Sequence, residues 1–218
     1  MTDPSLSWDV ILPERGARGT RATLHISSLS HGEESLSLPL SVGKRISRAR
    51  EEGTLCPESR AELLHRLGES ARLCAKARVE ALISRRDYSE RDLREKLHLD
   101  GYAQAVVEEA VHRAAECGLV DDARFGAAFA RSKLACGWGR ERIERELSRH
   151  GVSPELIAGW PDDFISTEEE RERALSLALR RRLTGKNDYE KIVRFLCGKG
   201  YAISVATDIA HEVLRGEN

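Results

Sequence analysis

The sequence is short of the residues and motifs from which catalytic and metal sites are built. No two of its five cysteines form a CxxC pair, so neither a zinc site nor a disulfide framework is expected from Cys56, Cys74, Cys117, Cys136 and Cys197. The seven histidines contain no HxxxH or HExxH spacing, and no GxxxxGK[ST] loop or GxSxG elbow occurs. We therefore expect no catalytic residue, no bound metal and no cofactor.

A secretory leader and long apolar runs are missing as well. The first residues, MTDPSLSWDV, lack the basic and apolar regions of a signal peptide. No stretch approaches the roughly 20 apolar residues that a membrane-spanning helix needs. Unpaired cysteines suit a reducing compartment. Together these features predict a soluble, cytoplasmic protein without membrane contact.

Aromatic residues are scarce at 5% of the chain, whereas charged residues reach 33%. That balance favours amphipathic helices, each burying one stripe, over a single thick core. The net charge of −1 argues against a protein that covers nucleic acid with positive charge. The charge is nevertheless segregated, because residues 139–150 and 180–199 are rich in basic side chains and residues 162–172 are acidic.

A repeated pattern ends in three glycines at nearly equal spacing, Gly101, Gly151 and Gly200. Each copy has an aliphatic residue, a leucine four positions later, the glycine four positions after that, and then Tyr or Val. This spacing places both aliphatic residues on one helical face, and a glycine at such a position ends a helix in a left-handed conformation. The pattern predicts three helix stops, and we expect none of these glycines to contact a partner.

The N-terminal region has a different pattern. Apolar residues alternate with polar ones in residues 23–26 and 35–40, on either side of a turn-rich segment at 27–34, which predicts a β-hairpin. Since two strands alone are marginally stable, Trp8, Val10 and Ile11 are expected to add a third strand.

Two starts are possible for the helix that follows. Cys56 and Pro57 resemble an N-cap with proline at the first helical position, whereas Ser59 with Glu62 resembles a capping box. The expected fold is mainly α: an elongated array of three tandem three-helix repeats after a small N-terminal region that contains the hairpin. The N-terminal region with its linker helix should occupy residues 1–75, and the repeats should occupy residues 76–120, 121–166 and 167–218.

Within the repeats, caps and apolar spacing predict the individual helices. In the first repeat they are expected at about 73–84, after a cap at Ser89, and at 104–117. In the second they start at Asp121 or Asp122, at about 139, and at Ser153 with Pro154. In the third, Thr167 with Glu170 is expected to form a capping box, and Asn187 or Asp188 starts the next helix.

Asp121 and Asp122 precede an apolar helical run and allow two interpretations. Adjacent carboxylates can hold a divalent cation or share a proton. An aspartate at the start of a helix instead accepts hydrogen bonds from unpaired N–H groups and opposes the helix dipole, which contributes about 1 kcal/mol. Helix capping is the favoured interpretation of this pair.

Ten basic residues of the second and third repeats are the candidates for partner contact. They are Arg140, Arg142, Arg145, Arg149, Arg180, Arg181, Arg182, Lys186, Lys191 and Arg194. On the helix expected at 139–150, Glu141 with Arg145 and Glu146 with Arg149 could simply form surface ion pairs. Those at 180–186 have few acidic neighbours, which makes them the stronger candidates for contact with an acidic protein surface or with phosphates.

Three segments carry motifs of a known family. They are Arg86, Asp87, Tyr88 and Ser89 through Leu93, Leu97 and Gly101; Gly118, Leu119, Asp121, Asp122 and Phe125; and Gly139, Ile143, Leu147 and Gly151. Together they resemble the RecX family, the regulators of the bacterial recombinase RecA. The resemblance covers about residues 80–214, and the N-terminal part is similar only to the small β-rich extension of some longer members. The family fold of tandem three-helix repeats agrees with the helix pattern.

The resemblance implies a modulator and not an enzyme. Proteins of this family bind RecA, associate with its nucleoprotein filament along the groove, and typically suppress its ATPase and strand exchange, which regulates DNA repair, recombination and the SOS response. The slightly negative net charge and the acidic segment at 162–172 indicate that protein contact dominates and that direct contact with DNA is weak. A monomer is expected.

Two other functions stay open. Three-helix units resemble helix-turn-helix domains, so the chain could be a nucleic-acid-binding module, or it could be a helical scaffold with an unrelated partner. The sequence also leaves open whether the protein caps filament ends, coats the groove or displaces subunits, whether the modulation is always inhibitory, and what the N-terminal region contributes.

Overall fold

The computed structural model describes residues 6–14, 21–29 and 32–216 of the 218-residue chain. These residues form a three-stranded sheet followed by nine α-helices, so the mainly helical fold with a small N-terminal β region is confirmed. The chain divides into two compact units, Met1–Val120 and Asp121–Asn218. The first unit has one hydrophobic cluster and the second has two.

The sheet consists of β1 (Ser7–Ile11), β2 (Arg21–Ser28) and β3 (Gly32–Pro39), antiparallel and in that order. The hairpin and the third strand at Trp8, Val10 and Ile11 are confirmed, and both hairpin strands extend beyond the predicted residues. Ala22, Leu24 and Ile26 alternate along β2 and are buried on one face. Residues 30–31 of the predicted turn lie outside the described residues. Leu40, predicted to end the second hairpin strand, instead begins a helix.

That helix, α1 (Leu40–Glu51), packs on the sheet and has no counterpart in the sequence-based prediction. It buries only Val42, Gly43 and Ile46, so its apolar stripe is short. Gly43 lies so close to β2 that a Cβ atom there would overlap the Cβ of Ala22. Glycine in a helix interior lowers helix propensity, and the packing that justifies it here depends on a distant strand.

The next helix, α2 (Arg60–Ile83), is a single continuous helix of 24 residues. Its N-cap is Ser59, whose side chain accepts a hydrogen bond from the Glu62 N–H, so the start predicted at Cys56 and Pro57 is wrong. The capping box is only half formed. In a complete box the Glu62 carboxylate would accept from the N–H of the N-cap, Ser59, whereas here it accepts from the N–H of Glu58, one residue earlier, at 3.0 Å. The separate helix predicted at 73–84 is the second half of α2, and the predicted boundary at residue 75 falls inside it.

Two further helices complete the first unit, α3 (Glu90–Asp100) and α4 (Gln104–Glu116). Ser89 caps α3 by accepting a hydrogen bond from the Asp92 N–H, as the sequence indicates. Leu93 and Leu97 of α3 are fully buried, as spacing of four on one helical face requires.

The second unit contains α5 (Asp122–Ala135), α6 (Arg140–Arg149), α7 (Thr167–Leu179), α8 (Asp188–Lys199) and α9 (Ile203–Arg215). Between α6 and α7, a short helix starts after Ser153 with Pro154 as its first residue, as predicted, but it is a 3₁₀ helix of three residues, Pro154–Leu156. Gly159 has a positive φ of 74°, and Pro161 follows two residues later, so an α-helix could not continue here. The capping box of α7 is formed by Ser166 and Glu169, one residue before the predicted pair Thr167 and Glu170.

The three repeated glycines have left-handed backbone angles, with φ of 97° at Gly101, 76° at Gly151 and 93° at Gly200. At each, the glycine N–H donates to the carbonyl three residues earlier, and the N–H of the next residue donates to the carbonyl of the repeated leucine. All six distances lie between 2.9 and 3.1 Å. This is the hydrogen-bond pattern of a Schellman stop. The residue after each glycine is buried.

Candidate partner-binding surface

The start of α6 in the second unit is covered by other parts of the same unit. The Gly139 N–H donates to the Lys199 carbonyl at 2.9 Å, and the Glu141 N–H donates to the Gly200 carbonyl at 3.0 Å. Between them, the Arg140 N–H donates to the carboxylate of Glu170 at 3.1 Å. The N–H groups and positive dipole of a helix start can bind an external anion. Here these N–H groups are used internally, so any partner contact must come from the side chains.

Two glycines make this approach possible. A Cβ atom on Gly139 would overlap the carbonyl group of Gly200, and one on Gly200 would overlap the backbone and Cβ of Arg142. Gly200 therefore has two roles: it ends α8 in a left-handed conformation and it allows α6 to pack on that end. The sequence pattern indicated only the first role, because the second depends on a residue about sixty positions away.

Of the four candidate arginines on α6, three interact with neighbouring groups. Arg140 pairs with Glu144 at 2.8 Å, and this hydrogen bond raises the pKa of the Arg140 guanidinium. Arg149 pairs with Glu146 at 2.7 Å. Arg142 lies over the ring of Trp138, 3.8 Å from its centroid, and donates to the Gly198 carbonyl at 3.3 Å.

The fourth, Arg145, is exposed, and the structure records no hydrogen bond or ion pair for its side chain in the described part of the chain. On α6, therefore, the Arg145 guanidinium has the fewest internal interactions. Of the two ion pairs expected from the sequence, Glu146–Arg149 forms, whereas none is recorded between Glu141 and Arg145 in the described part of the chain. Arg140 pairs with Glu144, which the sequence analysis did not single out.

An aromatic cluster lies beneath this part of α6. Trp138 meets Phe129 edge to face, with ring centroids 6.4 Å apart, and Phe129 meets His150 at 5.3 Å. The Lys133 ammonium lies 4.9 Å from the Trp138 centroid. Trp138 is half-buried in the hydrophobic cluster of α5 and α6. Because Arg142 stacks on this packed ring, its guanidinium has a fixed position.

The segment that joins α7 to α8 carries the densest group of basic side chains in the second unit. We call Arg180, Arg181, Arg182 and Lys186 the cationic corner; all four are exposed. The Arg181 guanidinium stacks 4.7 Å from the Phe195 ring centroid. For the side chains of Arg180, Arg182 and Lys186, the structure records no hydrogen bond or ion pair to any described residue. The same is true of Arg194 on α8, which is also exposed.

A hydrogen-bonded network joins Asp188 and Lys191 of α8 to residues 184–186, next to and within the cationic corner. The Asp188 carboxylate accepts hydrogen bonds from the backbone N–H groups of Thr184 at 2.8 Å and Gly185 at 2.5 Å, and from the Thr184 hydroxyl at 3.1 Å. Lys191 donates to that carboxylate at 3.0 Å, to the Thr184 hydroxyl at 2.5 Å and to the Lys186 carbonyl at 2.7 Å.

This network favours the charged form of the Asp188 carboxyl group. Burial alone would raise the pKa of Asp188, but the hydrogen bonds from Lys191, Thr184 and Gly185 outweigh burial and hold that pKa below its ordinary value. An ammonium group has three donors, and all three of Lys191 find acceptors in the network. Lys191 is one of the ten candidates for partner contact, and its ammonium group is hydrogen-bonded within this network.

The acidic pair Asp121 and Asp122 lies at the start of α5. The Asp121 side chain is the N-cap and accepts a hydrogen bond from the Arg124 N–H at 2.9 Å, while Asp122 is the first residue of the helix. Within residues 6–14, 21–29 and 32–216, no three His, Cys, Asp or Glu side chains come together in a way that could hold a metal ion. Among those same residues, none of the helices has the length and apolar character that a bilayer span requires.

The fold defines a mainly helical protein of short helices, three of which end at the repeated glycines. Sequence models of two domains match within this chain. "RecX, first three-helix domain" matches residues 75–113, and "RecX, second three-helix domain" matches residues 121–159.

Individual relatives point to the same family. Regulatory protein RecX of Vibrio vulnificus is 34% identical over 129 residues, which is 56% of this chain and 80% of that protein. Regulatory protein RecX of a Mycobacterium species (strain JLS) is 35% identical over 146 residues, covering 62% of this chain and 79% of that protein. The chain belongs to the RecX family.

Solved structures show the same fold. The crystal structure of a regulatory protein RecX superposes with a TM-score of 0.59 at 19% identity, covering 94% of this chain and 98% of the other. RecX from Lactobacillus salivarius superposes with a TM-score of 0.56 at 17% identity, covering 66% of this chain and 97% of the other. At these identities the similarity concerns the fold alone.

Proposed function

We propose that this protein binds RecA and the RecA–DNA filament and lowers the recombinase's ATPase and strand-exchange activities, and so regulates DNA repair and recombination. Membership of a family whose characterised relatives are named regulatory proteins supports this function. We also propose that it acts as a cytoplasmic monomer, without a cofactor and without catalysis of its own.

The observation that carries the proposal is a set of basic side chains in the second unit for which no ion pair to a described residue is recorded. Arg145, Arg180, Arg182, Lys186 and Arg194 are exposed, whereas other arginines of the chain pair with glutamates at 2.7–2.9 Å. Surface charges that have no ion-pair partner within the protein guide association, and they set partner specificity when they face opposite charge. A nucleoprotein filament offers both acidic side chains and phosphates.

RecA ATPase on single-stranded DNA, measured with increasing amounts of this protein, tests the proposal directly. The wild-type protein is expected to inhibit. The triple variant Arg180→Ala, Arg182→Ala, Lys186→Ala should require about tenfold more protein for half inhibition, because it loses three charges that face the partner. If the wild-type protein leaves the ATPase unchanged at stoichiometric excess over its binding sites, the proposal is wrong.

A matched control removes the same amount of charge elsewhere. Arg48, Arg72 and Arg91 are exposed arginines of the first unit, and each already pairs with a glutamate, at 2.7, 2.9 and 3.1 Å. Changing these three to alanine alters the net charge as much as the corner variant does. We expect near wild-type inhibition from this control, so a loss equal to that of the corner variant would assign the effect to net charge alone.

The same exposed cations favour a second candidate, binding of bare nucleic acid. Affinity for a single-stranded oligonucleotide would then fall steeply with salt, with a logarithmic slope of roughly −0.7 per phosphate contacted. An unchanged affinity and salt slope in the corner variant would remove this candidate. A pull-down that recovers another major partner and no recombinase would instead support a scaffold with an unrelated partner.

A further inference from the structure

Only one buried polar residue in the described part of the chain carries a charge. The buried polar side chains there are Ser28, Ser89 and Asp188, and Ser89 is the N-cap of α3. Asp188 is 7% exposed and is the first residue of α8, directly after the segment that carries the cationic corner. A buried carboxylate is costly unless hydrogen bonds compensate for its lost hydration, so its presence here calls for a physical role.

The backbone of the corner depends on Asp188 for its shape. Gly185 and Asn187 both have positive φ, 74° and 55°, so the backbone enters the left-handed region twice within three residues. Asn187 precedes α8 without a side-chain hydrogen bond to the helix start. The carboxylate of Asp188 instead holds the N–H groups of Thr184 and Gly185, and Lys191 holds the Lys186 carbonyl. We call Asp188 and Lys191, with their hydrogen bonds to residues 184–186, the Asp188–Lys191 clamp.

The basic side chains of the corner lie just before the clamp or within it. Lys186 contributes its carbonyl to Lys191 and leaves its own ammonium exposed. Arg180 to Arg182 connect the end of α7 to the clamped residues. A loop of this composition without a clamp would sample many conformations, and a partner would have to order it on binding, at a cost in conformational entropy.

We propose that Asp188 and Lys191 are positioning residues, which hold the cationic corner in one arrangement before the partner binds. This inference rests on the proposed function, because it assumes that the corner contacts the RecA–DNA filament. The clamp adds no contact of its own to the partner. It lowers the cost of ordering Arg180, Arg182 and Lys186, so its loss weakens binding while the cations themselves remain.

Three variants separate the parts of the clamp. Asp188→Ala removes all of its acceptors, whereas Asp188→Asn keeps the shape and one acceptor but loses the charge. Lys191→Met keeps most of the aliphatic length and removes the three donors. Asp208→Ala serves as the matched control, because Asp208 is an exposed aspartate of α9 in the same unit.

Limited proteolysis with trypsin reports on the corner without involving RecA. Bonds after Arg180, Arg181, Arg182 and Lys186 are trypsin sites, and cleavage requires local opening of the chain. Asp188→Ala and Lys191→Met should be cut here about tenfold faster than the wild-type protein, and Asp208→Ala at the wild-type rate. Amide exchange at Thr184 and Gly185 should accelerate in the same variants. Equal cleavage rates in all four proteins would overturn the clamp.

Filament affinity is the second readout, since a merely structural role would leave it unchanged. Asp188→Ala and Lys191→Met are expected to bind the RecA–DNA filament about fivefold more weakly, less of a loss than in the triple corner variant. Lys191→Arg, which keeps charge and donors, should restore both slow cleavage and affinity. If Asp188→Ala loses its helical circular dichroism, cleavage rate and filament affinity are compared in Asp188→Asn and Lys191→Met instead.

The outcomes distinguish the positioning role of the clamp from the proposed function. Faster cleavage combined with wild-type filament affinity would show that the clamp only supports the fold, and the positioning role would fail alone. If the wild-type protein itself does not bind the filament, the proposed function fails and the positioning role fails with it.

Discussion

Gly139 and Gly200 bring the start of α6 and the end of α8 into direct backbone contact. The Gly139 N–H donates to the carbonyl of Lys199, the residue before Gly200, and the Gly200 carbonyl accepts from Glu141. Neither glycine has room for a Cβ atom. The contact links the predicted second and third repeats within one compact unit. Consecutive repeats of a helical array are stabilised by such interfaces between neighbours.

Alanine substitutions at the glycine stops should therefore differ in cost. Gly200→Ala combines a left-handed φ of 93° with overlap against the backbone of Arg142. Gly101→Ala has a similar φ, but its Cβ would meet only the flexible side chain of Arg21, 3.0 Å from Nε. We expect Gly101→Ala to lose about 1 kcal/mol of unfolding free energy and Gly200→Ala about 3 kcal/mol. Urea denaturation followed by circular dichroism measures both values.

Gly139→Ala isolates the packing effect from backbone strain. Its φ of −83° suits any residue, so the expected loss of about 1–3 kcal/mol comes only from overlap with Gly200. Equal losses for Gly101→Ala and Gly200→Ala, together with none for Gly139→Ala, would show that the close contact contributes nothing to stability.

The start of α2 provides a second prediction. Ser59 accepts a hydrogen bond from the Glu62 N–H at 3.2 Å, whereas Cys56 is exposed and lies before the helix. Ser59→Ala should lower the unfolding free energy by about 1 kcal/mol, because one N–H of the first turn loses its acceptor. Cys56→Ala is the matched control and should change it by less than about 0.5 kcal/mol. The reverse order of the two losses would place the cap at Cys56.

How far the sequence predicts this protein depends on how local each feature is. The Schellman stops at Gly101 and Gly200 depend on a few consecutive residues, and the pattern around them is sufficient to predict them. Helix α1 could not be predicted in this way, since its interior Gly43 is justified only by contact with Ala22 on a strand. The start of α2 was ambiguous from the sequence because both Cys56 and Ser59 are locally acceptable, and in the structure Ser59 is the N-cap.

The candidate surface follows the same rule. The sequence indicated which residues are basic, and the spacing of Glu146 and Arg149 predicted their ion pair. It also suggested a pair of Glu141 with Arg145, whereas the pair that forms nearby joins Arg140 and Glu144. It could not show that the Lys191 ammonium donates to Thr184, Lys186 and Asp188, because that depends on the backbone conformation of residues 184–188. Spacing of three between Asp188 and Lys191 was a signal available in the sequence.

Tyr201 leads to a prediction about alkaline conditions. Burial raises the pKa of its phenol to about 12, with a further contribution from Glu170 and partial compensation by Arg173. The unfolded chain loses this proton near pH 10, and the folded chain keeps it until about pH 12. The stabilisation due to the neutral phenol is therefore complete below pH 10 and is lost as the pH rises towards 12.

Replacing Tyr201 with Phe should flatten this dependence. The variant keeps the buried ring and loses a long hydrogen bond to the Gly137 carbonyl, 3.5 Å in the wild-type protein. We expect the drop in unfolding free energy between pH 9 and pH 11 to be smaller in Tyr201→Phe than in the wild-type protein. Tyr189→Phe, at a half-buried tyrosine of the same unit, is the comparison variant that removes another phenol from the same cluster. Denaturation curves at both pH values decide the matter.

Salt should affect the proposed interaction through the cationic corner. Arg180, Arg182 and Lys186 are exposed, and charges at a surface are screened over about 8 Å at physiological ionic strength. Half inhibition of RecA ATPase by the wild-type protein should therefore need about tenfold more protein when salt rises from 50 to 300 mM. The triple corner variant should depend less on salt, because fewer charges remain to be screened. Each salt concentration requires a RecA-only reaction, since salt alters the recombinase itself. Parallel salt curves for the two proteins would show that the corner does not face the partner.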